Sequence, residues 1–267
     1  MSLIPERLNG GQIYPNIPQG FAVIAIMILA TLLFSPIIMI SEESPWAEFL
    51  SFIYYLCSMG ATLWFIRSIK IRLEGQATFH FEEVPIAAIP MLILAVVGLE
   101  ISISPIVDLI PVPEAMEEYF AESIQQRDAF TFLLMVVAAP IFEELIFRGI
   151  ILEGFLRQFD PWQAILGSSF LFGFAHLNPW QFVSGMALGA FIGWVYFRTR
   201  SLMACMIIHA AANLFGFAIR FYITPETATQ SSADFFGGTF NYLVITGFAI
   251  LITALCIWAL DRIFENE

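Results

Sequence analysis

The run Ala139-Pro140-Ile141-Phe142-Glu143-Glu144-Leu145-Ile146-Phe147-Arg148 sets three charges inside an otherwise apolar stretch. Ionisable side chains are costly in hydrocarbon, so they default to a functional reading when they face the interior of a helix bundle. Glu144 and Arg148 stand at i and i+4, share a helix face and can pair. Glu143 is turned about 100° away from Glu144. With no local partner, it must find one on another helix, or water in a cavity. His176 and His209 also lie in apolar runs, whereas His80 sits in the polar connection Phe79-His80-Phe81-Glu82-Glu83 and reads as surface. His209 is followed at i+4 by Asn213, and His176 is preceded at i−4 by Phe172.

A carboxylate and an imidazole can hold a water molecule and take its proton. A second imidazole and an amide can donate hydrogen bonds to the oxyanion that forms on a carbonyl. Together they suffice for peptide hydrolysis without a covalent nucleophile. Two histidines and one glutamate (Glu143, His176, His209) could instead ligate zinc. The usual H-E-x-x-H spacing is absent, so such a site would have to be assembled from three helices. Taken singly, an intramembrane His or Asn is more often a helix-to-helix hydrogen bond, and a Glu–Arg pair a structural clamp. Four costly groups in nearly apolar surroundings favour chemistry. Pro140 removes a helical hydrogen bond one turn before Glu143 and is expected to kink or open the helix there.

The elements that must position these groups follow from composition. Of 267 residues, 59% are apolar and 13% charged, and the mean hydropathy is +0.80. A water-soluble globule needs a far more polar shell, so soluble, disordered, collagen-like and disulfide-stapled classes are excluded. The expected fold is an all-α polytopic membrane protein, a bundle of about eight transmembrane helices, because lipid offers backbone groups no outside partner. The apolar runs are 20–40, 48–66, 84–104, 129–152, 161–177, 181–197, 202–221 and 239–260. The first is too long for the core of a cleaved signal peptide. Arg7, Arg67, Lys70, Arg72, Arg157, Arg198, Arg200 and Arg262 fall on alternate connections, against Arg127 and Arg220 on the others. The positive-inside bias then predicts both termini in the cytoplasm.

One integrated membrane domain is expected, with a three-span region over 1–128, a core of spans four to seven over 129–221, and a loop with the last span over 222–267. Gly185, Gly189 and Gly193 form a small-residue stripe that lets another helix approach closely, and packing within the monomer is its expected purpose. Asn178-Pro179-Trp180 is a helix stop between two short spans. On simple helix geometry His176 comes out about 10 Å too far from the other polar groups. A hairpin turning inside the bilayer at Asn178-Pro179 would close that gap.

The net charge is −12, and no run of Lys or Arg offers a nucleic-acid footprint. The acids crowd into connections, such as Glu42, Glu43 and Glu48, or Glu114, Glu117, Glu118 and Glu122, and read as solvated loops. Cys57, Cys205 and Cys256 each lie in apolar stretches and suggest no disulfide framework. The chain's last residues, Phe264-Glu265-Asn266-Glu267, form no prenylation box.

Glu143-Glu144-x-x-x-Arg148, Phe172-x-x-x-His176 and His209-x-x-x-Asn213 resemble, in order and spacing, the motif series of the CAAX prenyl protease type II and bacteriocin-processing enzymes (the CPBP or Abi family). These are intramembrane endopeptidases of the eight-helix type. The resemblance covers about residues 129–221. It implies that Glu143 is the general base, that His176 helps it activate water, and that His209 and Asn213 form the oxyanion hole. Glu144 and Arg148 would hold the motif helix in place, with Phe172 supporting. It further implies a glutamate-dependent protease with no required metal or cofactor, zinc being the alternative, and a site opening towards the cytosol.

The expected partners are a membrane-associated peptide or protein substrate, lipidated or a leader, and the bilayer itself; no nucleic acid is expected, and oligomeric state is left open. Two other classes compete. A proton-coupled transporter predicts broken helices at corresponding positions of two repeats, and no such internal symmetry is visible. A catalytically inactive membrane scaffold predicts that Glu143→Ala leaves function intact.

Overall fold

The computed structural model describes residues 12–41, 44–224, 227 and 230–265. Arg7, Glu42, Glu43, Asn266 and Glu267 lie outside the described residues. The chain folds as α1 (Ile17–Phe34), α2 (Pro36–Ser41), α3 (Ala47–Glu74), α4 (Ala88–Val107), α5 (Glu114–Ser123), α6 (Ala129–Leu156), α7 (Pro161–Phe174), α8 (Pro179–Thr199), α9 (Leu202–Ile219), α10 (Ser232–Phe235) and α11 (Thr239–Glu265). Among the described residues there is no strand, only an isolated bridge between Phe81 and Ser201. Seven helical segments are long and apolar enough to cross a membrane: Ile17–Ile40, α3, α4, α6, α8, α9 and α11. The fold is an all-α polytopic membrane protein.

The expected eight spans become seven long helices and one short one. The run 161–177 is helical only over the 14 residues of α7, about 21 Å at 1.5 Å per residue, against a hydrocarbon thickness of about 30 Å. Its end is set by local chemistry. Leu177 takes a left-handed conformation. Asn178 then caps α8 by accepting from Gln181 N at 2.8 Å, with Pro179 at the first helical position. The α7–α8 hairpin packs closely because glycine faces it. A Cβ on Gly185, Gly189 or Gly193 would come within 3.1–3.3 Å of Gly173, Ser169 and Ile165 on α7, and one on Gly173 within 2.6 Å of the Phe182 carbonyl. The small-residue stripe therefore serves packing within the monomer.

The basic ends of α3, α6, α8 and α11 are knitted together. Arg157 pairs with Glu74 at 2.7 Å, Arg200 with Glu153 at 2.6 Å and Arg198 with Asp261 at 2.7 Å. Leu202 N donates to the His80 carbonyl at 2.9 Å at this same end, so the half-buried His80 loop is tied down. The opposite end carries Asp108, Asp128 and the acidic α5. There Trp180 donates to the Ile110 carbonyl at 3.2 Å, and Arg220 to the Ser123 carbonyl at 2.7 Å. Many large apolar side chains face outward, among them Leu33, Trp64, Phe248 and Trp258, as lipid contact requires. Cys57, Cys205 and Cys256 are free thiols, two of them buried.

Helix α6 departs from regular α geometry at both sides of its charged motif, with π-helical turns over Leu133–Ala138 and Phe147–Leu152. Pro140 accounts for the consequence of the first. Within the widened turn Ala139 N bonds the Leu134 carbonyl, five residues back. The next bond in that series would join residue 140 to the Met135 carbonyl, and proline has no N–H to make it. Met135 O is thereby left to accept from another helix.

Candidate active site

Asn213 on α9 takes the carbonyl that Pro140 leaves free, donating from Nδ2 to Met135 O at 2.7 Å. A primary amide carries a second N–H, so one donor is still open to chemistry. Four residues earlier on the same face, His209 meets the motif of α6. Its Nδ1 lies 2.7 Å from Glu144 Oε1, and its Nε2 3.8 Å from Glu143 Oε2. A neutral ring with its proton on Nδ1 donates to Glu144 and leaves Nε2 as the free nitrogen; a protonated ring offers Nε2–H as a donor.

Glu144 and Arg148 pair as their spacing predicts. The Arg148 NH1 to Glu144 Oε1 distance is 2.9 Å, and the two side chains are 1% and 0% exposed. Arg148 also donates from NH2 to the Gly189 carbonyl at 3.1 Å. Its guanidinium stands 4.7 Å from the centroid of the Phe172 ring. Glu144 Oε2 and Arg148 Nε have no hydrogen-bond partner among the described residues. Through the Gly189 carbonyl, the Phe172 ring and the His209 imidazole, this pair links α6 to α8, α7 and α9.

Glu143, turned away from that pair, finds partners on other helices. Tyr55 on α3 donates its hydroxyl to Glu143 Oε1 at 2.9 Å, and His209 lies beyond Oε2. The carboxylate is 16% exposed, so it remains within reach of water.

His176 sits at the end of α7, with Nδ1 2.9 Å from the Phe172 carbonyl. The Phe172 ring meets His176 at 5.2 Å and His209 at 5.5 Å between centroids, both edge-on. It thus touches both imidazoles. His176, His209 and Asn213 line one cavity of about 180 Å³ together with Phe172, Met135 and Glu100. The short α7 therefore brings His176 to the cavity of His209 and Asn213, closing towards these two the gap of about 10 Å expected from a full-length span. Glu143 does not line this cavity. Among the described residues no hydrogen bond or ion pair joins Glu143 to His176; the imidazole beside Glu143 is His209. The resemblance pairs these groups differently.

Two site residues escape sequence reasoning. Tyr55 stands beside Tyr54 in an apolar run, and no spacing marks which of them turns inward. Glu100 was open to the same rule that singles out α6, being an ionisable group in the middle of the apolar run 84–104. It is half-buried on α4 and faces the cavity.

Among the described residues no group of three or more His, Cys, Asp or Glu side chains is arranged to hold a metal ion. His209 places Nδ1 against Glu144 and His176 places Nδ1 against the Phe172 carbonyl, an arrangement that leaves Nε2 of both rings available.

Outside the membrane-spanning segments, Asp128 starts α6. It accepts from Phe130 N at 2.8 Å and Thr131 N at 3.0 Å. Burial pushes its carboxyl up, but the hydrogen bonds from Thr131 and Phe130 outweigh that and hold it below the usual value.

Residues 125–215 match the family described as Type II CAAX prenyl endopeptidase Rce1-like. That segment contains Glu143, Glu144, Arg148, Phe172, His176, His209 and Asn213. The likeness is to an intramembrane protease of the CAAX type in general, and it agrees with an integral multi-pass membrane protein. The UPF0177 protein YbdI of Lactococcus lactis subsp. lactis is 34% identical over 87 residues, which are 32% of this chain and 46% of that protein. The chain thus matches about half the length of this curated relative. No solved structure matches the chain.

Proposed function

We propose that the chain is an intramembrane endopeptidase that hydrolyses a peptide bond of a membrane-associated peptide, lipidated or a leader, using water activated by Glu143. The observation that carries this reading is the meeting of His209, His176 and Asn213 at one cavity beside Phe172, with Glu143 held against the other nitrogen of His209 just outside it. Glu143 takes a proton from water, with an imidazole holding the nucleophile. His209 and Asn213 donate to the oxyanion, and His176 lines the same cavity as a second imidazole. Glu144 and Arg148 keep α6 in register, and no metal is required.

Charge and exposure guide the reading of the side from which substrate enters. Arg67, Lys70, Arg72, Arg157, Arg198, Arg200 and Arg262 share one end of the bundle, which by the positive-inside bias is cytoplasmic, with both termini on that side. Gln181 and Gly216 are the exposed residues of the cavity wall, and both lie towards the opposite, acidic end. This favours access from the non-cytoplasmic half of the bilayer over the cytosolic opening that the resemblance implies. Gln181→Cys should react with an impermeant maleimide added outside intact cells; protection there, with reaction only after permeabilisation, would restore the cytosolic opening.

The enzymatic reading is tested with purified protein in detergent or proteoliposomes and a library of membrane-anchored peptides. Cleavage is expected for some member, and Glu143→Ala should abolish it while leaving the unfolding transition in place. Full turnover by Glu143→Ala would remove the mechanism.

A further inference from the structure

The mechanism above leaves the proton of water on Glu143, which stands outside the cavity of the oxyanion donors, so it places no proton source inside that cavity for the leaving nitrogen. An amine expelled from a tetrahedral intermediate needs a proton as the C–N bond breaks. Glu100 occupies the matching place. It projects from the middle of α4 into the cavity that His176, His209 and Asn213 line. It makes no hydrogen bond or ion pair to the described residues, so packing does not explain it. Glu143 stands outside this cavity, on the Tyr55 side of His209. The two carboxyl groups thus flank the oxyanion donors from different helices, α6 and α4. An ionised Glu100 would repel the oxyanion forming beside it, whereas a protonated one adds no charge and carries the missing hydrogen.

We propose that Glu100 is a further catalytic residue, the general acid that protonates the departing amine; this rests on the endopeptidase reading above. The water oxygen bonds to the carbonyl carbon while its proton passes to Glu143. The C–N bond then breaks, and the nitrogen takes the proton of the Glu100 carboxyl. The proton on Glu143 returns to Glu100 through water, so that one water molecule is consumed per bond cleaved.

The test compares leaving groups. N-palmitoyl tetrapeptides are offered in proteoliposomes as 4-nitroanilides and as 4-nitrophenyl esters, since nitrophenolate departs without a proton. Glu100→Gln should slow the anilide about 10²–10⁴-fold, the usual worth of general acid–base catalysis, and the ester less than tenfold. Glu100→Asp should restore part of the anilide rate. In the unaltered protein, dicyclohexylcarbodiimide, which attacks protonated carboxyls in apolar surroundings, should label Glu100 as read by peptide mass spectrometry.

Equal loss on anilide and ester would make Glu100 a structural group. Loss confined to peptides bearing Lys or Arg would make it a binding group for a substrate cation. An unchanged anilide rate would remove it from the reaction. Each of these outcomes overturns the proposal. If Glu143→Gln hydrolyses both probes normally, it is the assignment of Glu143 that fails, while the anilide-to-ester comparison still judges Glu100. If the unaltered protein hydrolyses neither probe, the endopeptidase reading falls and this role with it.

Discussion

Replacing Arg148 by methionine removes one partner of a fully buried ion pair and leaves the other. In the native protein the guanidinium bonds Glu144 at 2.9 Å and the Gly189 carbonyl at 3.1 Å, and stacks on Phe172. Methionine fills similar volume, so the loss is electrostatic rather than steric. An uncompensated buried carboxylate costs about 3–5 kcal/mol, at least about a fifth of the roughly 5–15 kcal/mol that holds a typical domain. Glu144→Gln alone strands the cation instead and should cost a similar amount. The double variant Glu144→Gln/Arg148→Met strands nothing. Its glutamine oxygen can still accept from His209, and its net loss is the Gly189 bond and the ring contact, about 1–3 kcal/mol. The singles should therefore sum to far more than the double. Chemical unfolding of detergent-solubilised protein, followed by tryptophan fluorescence, measures all three. A loss below about 1 kcal/mol in Arg148→Met, or a double variant as unstable as the sum of the singles, would refute the clamp.

Glu143→Gln should lose at least about 10²-fold in turnover with an unfolding transition close to native, the reverse of the Arg148 pattern. Gly173→Ala would push a Cβ to 2.6 Å from the Phe182 carbonyl; backbone cannot yield cheaply, so the α7–α8 hairpin should open at a cost of about 1–3 kcal/mol, read as a lowered Tm. Asp128→Ala removes the N-cap of α6 and should cost about 1 kcal/mol. Because the Asp128 carboxyl is held below its usual value, its contribution is full above the ordinary carboxylate range and fades as pH falls through the depressed native value. The stability gap between native and Asp128→Ala should shrink on acidification; a gap that widens instead would contradict the cap.

Sequence alone determined the class and most of the polar set. Hydropathy dictates a helical bundle because lipid satisfies no backbone group, and the same cost makes Glu143, Glu144, Arg148, His176, His209 and Asn213 stand out. The i, i+4 spacing settles the Glu144–Arg148 pair, since that contact lies within one helix. Contacts between helices are not written in any local spacing, and there the tertiary structure decided. It gave Glu143 a tyrosine and His209, shortened α7 so that His176 reaches the cavity, and turned Glu100 inward. Of the kink or opening expected at Pro140, it selected the opening, which frees the Met135 carbonyl for Asn213. A missing N–H can be absorbed by bending or by widening the turn, and only the packing of α9 against α6 selects between them.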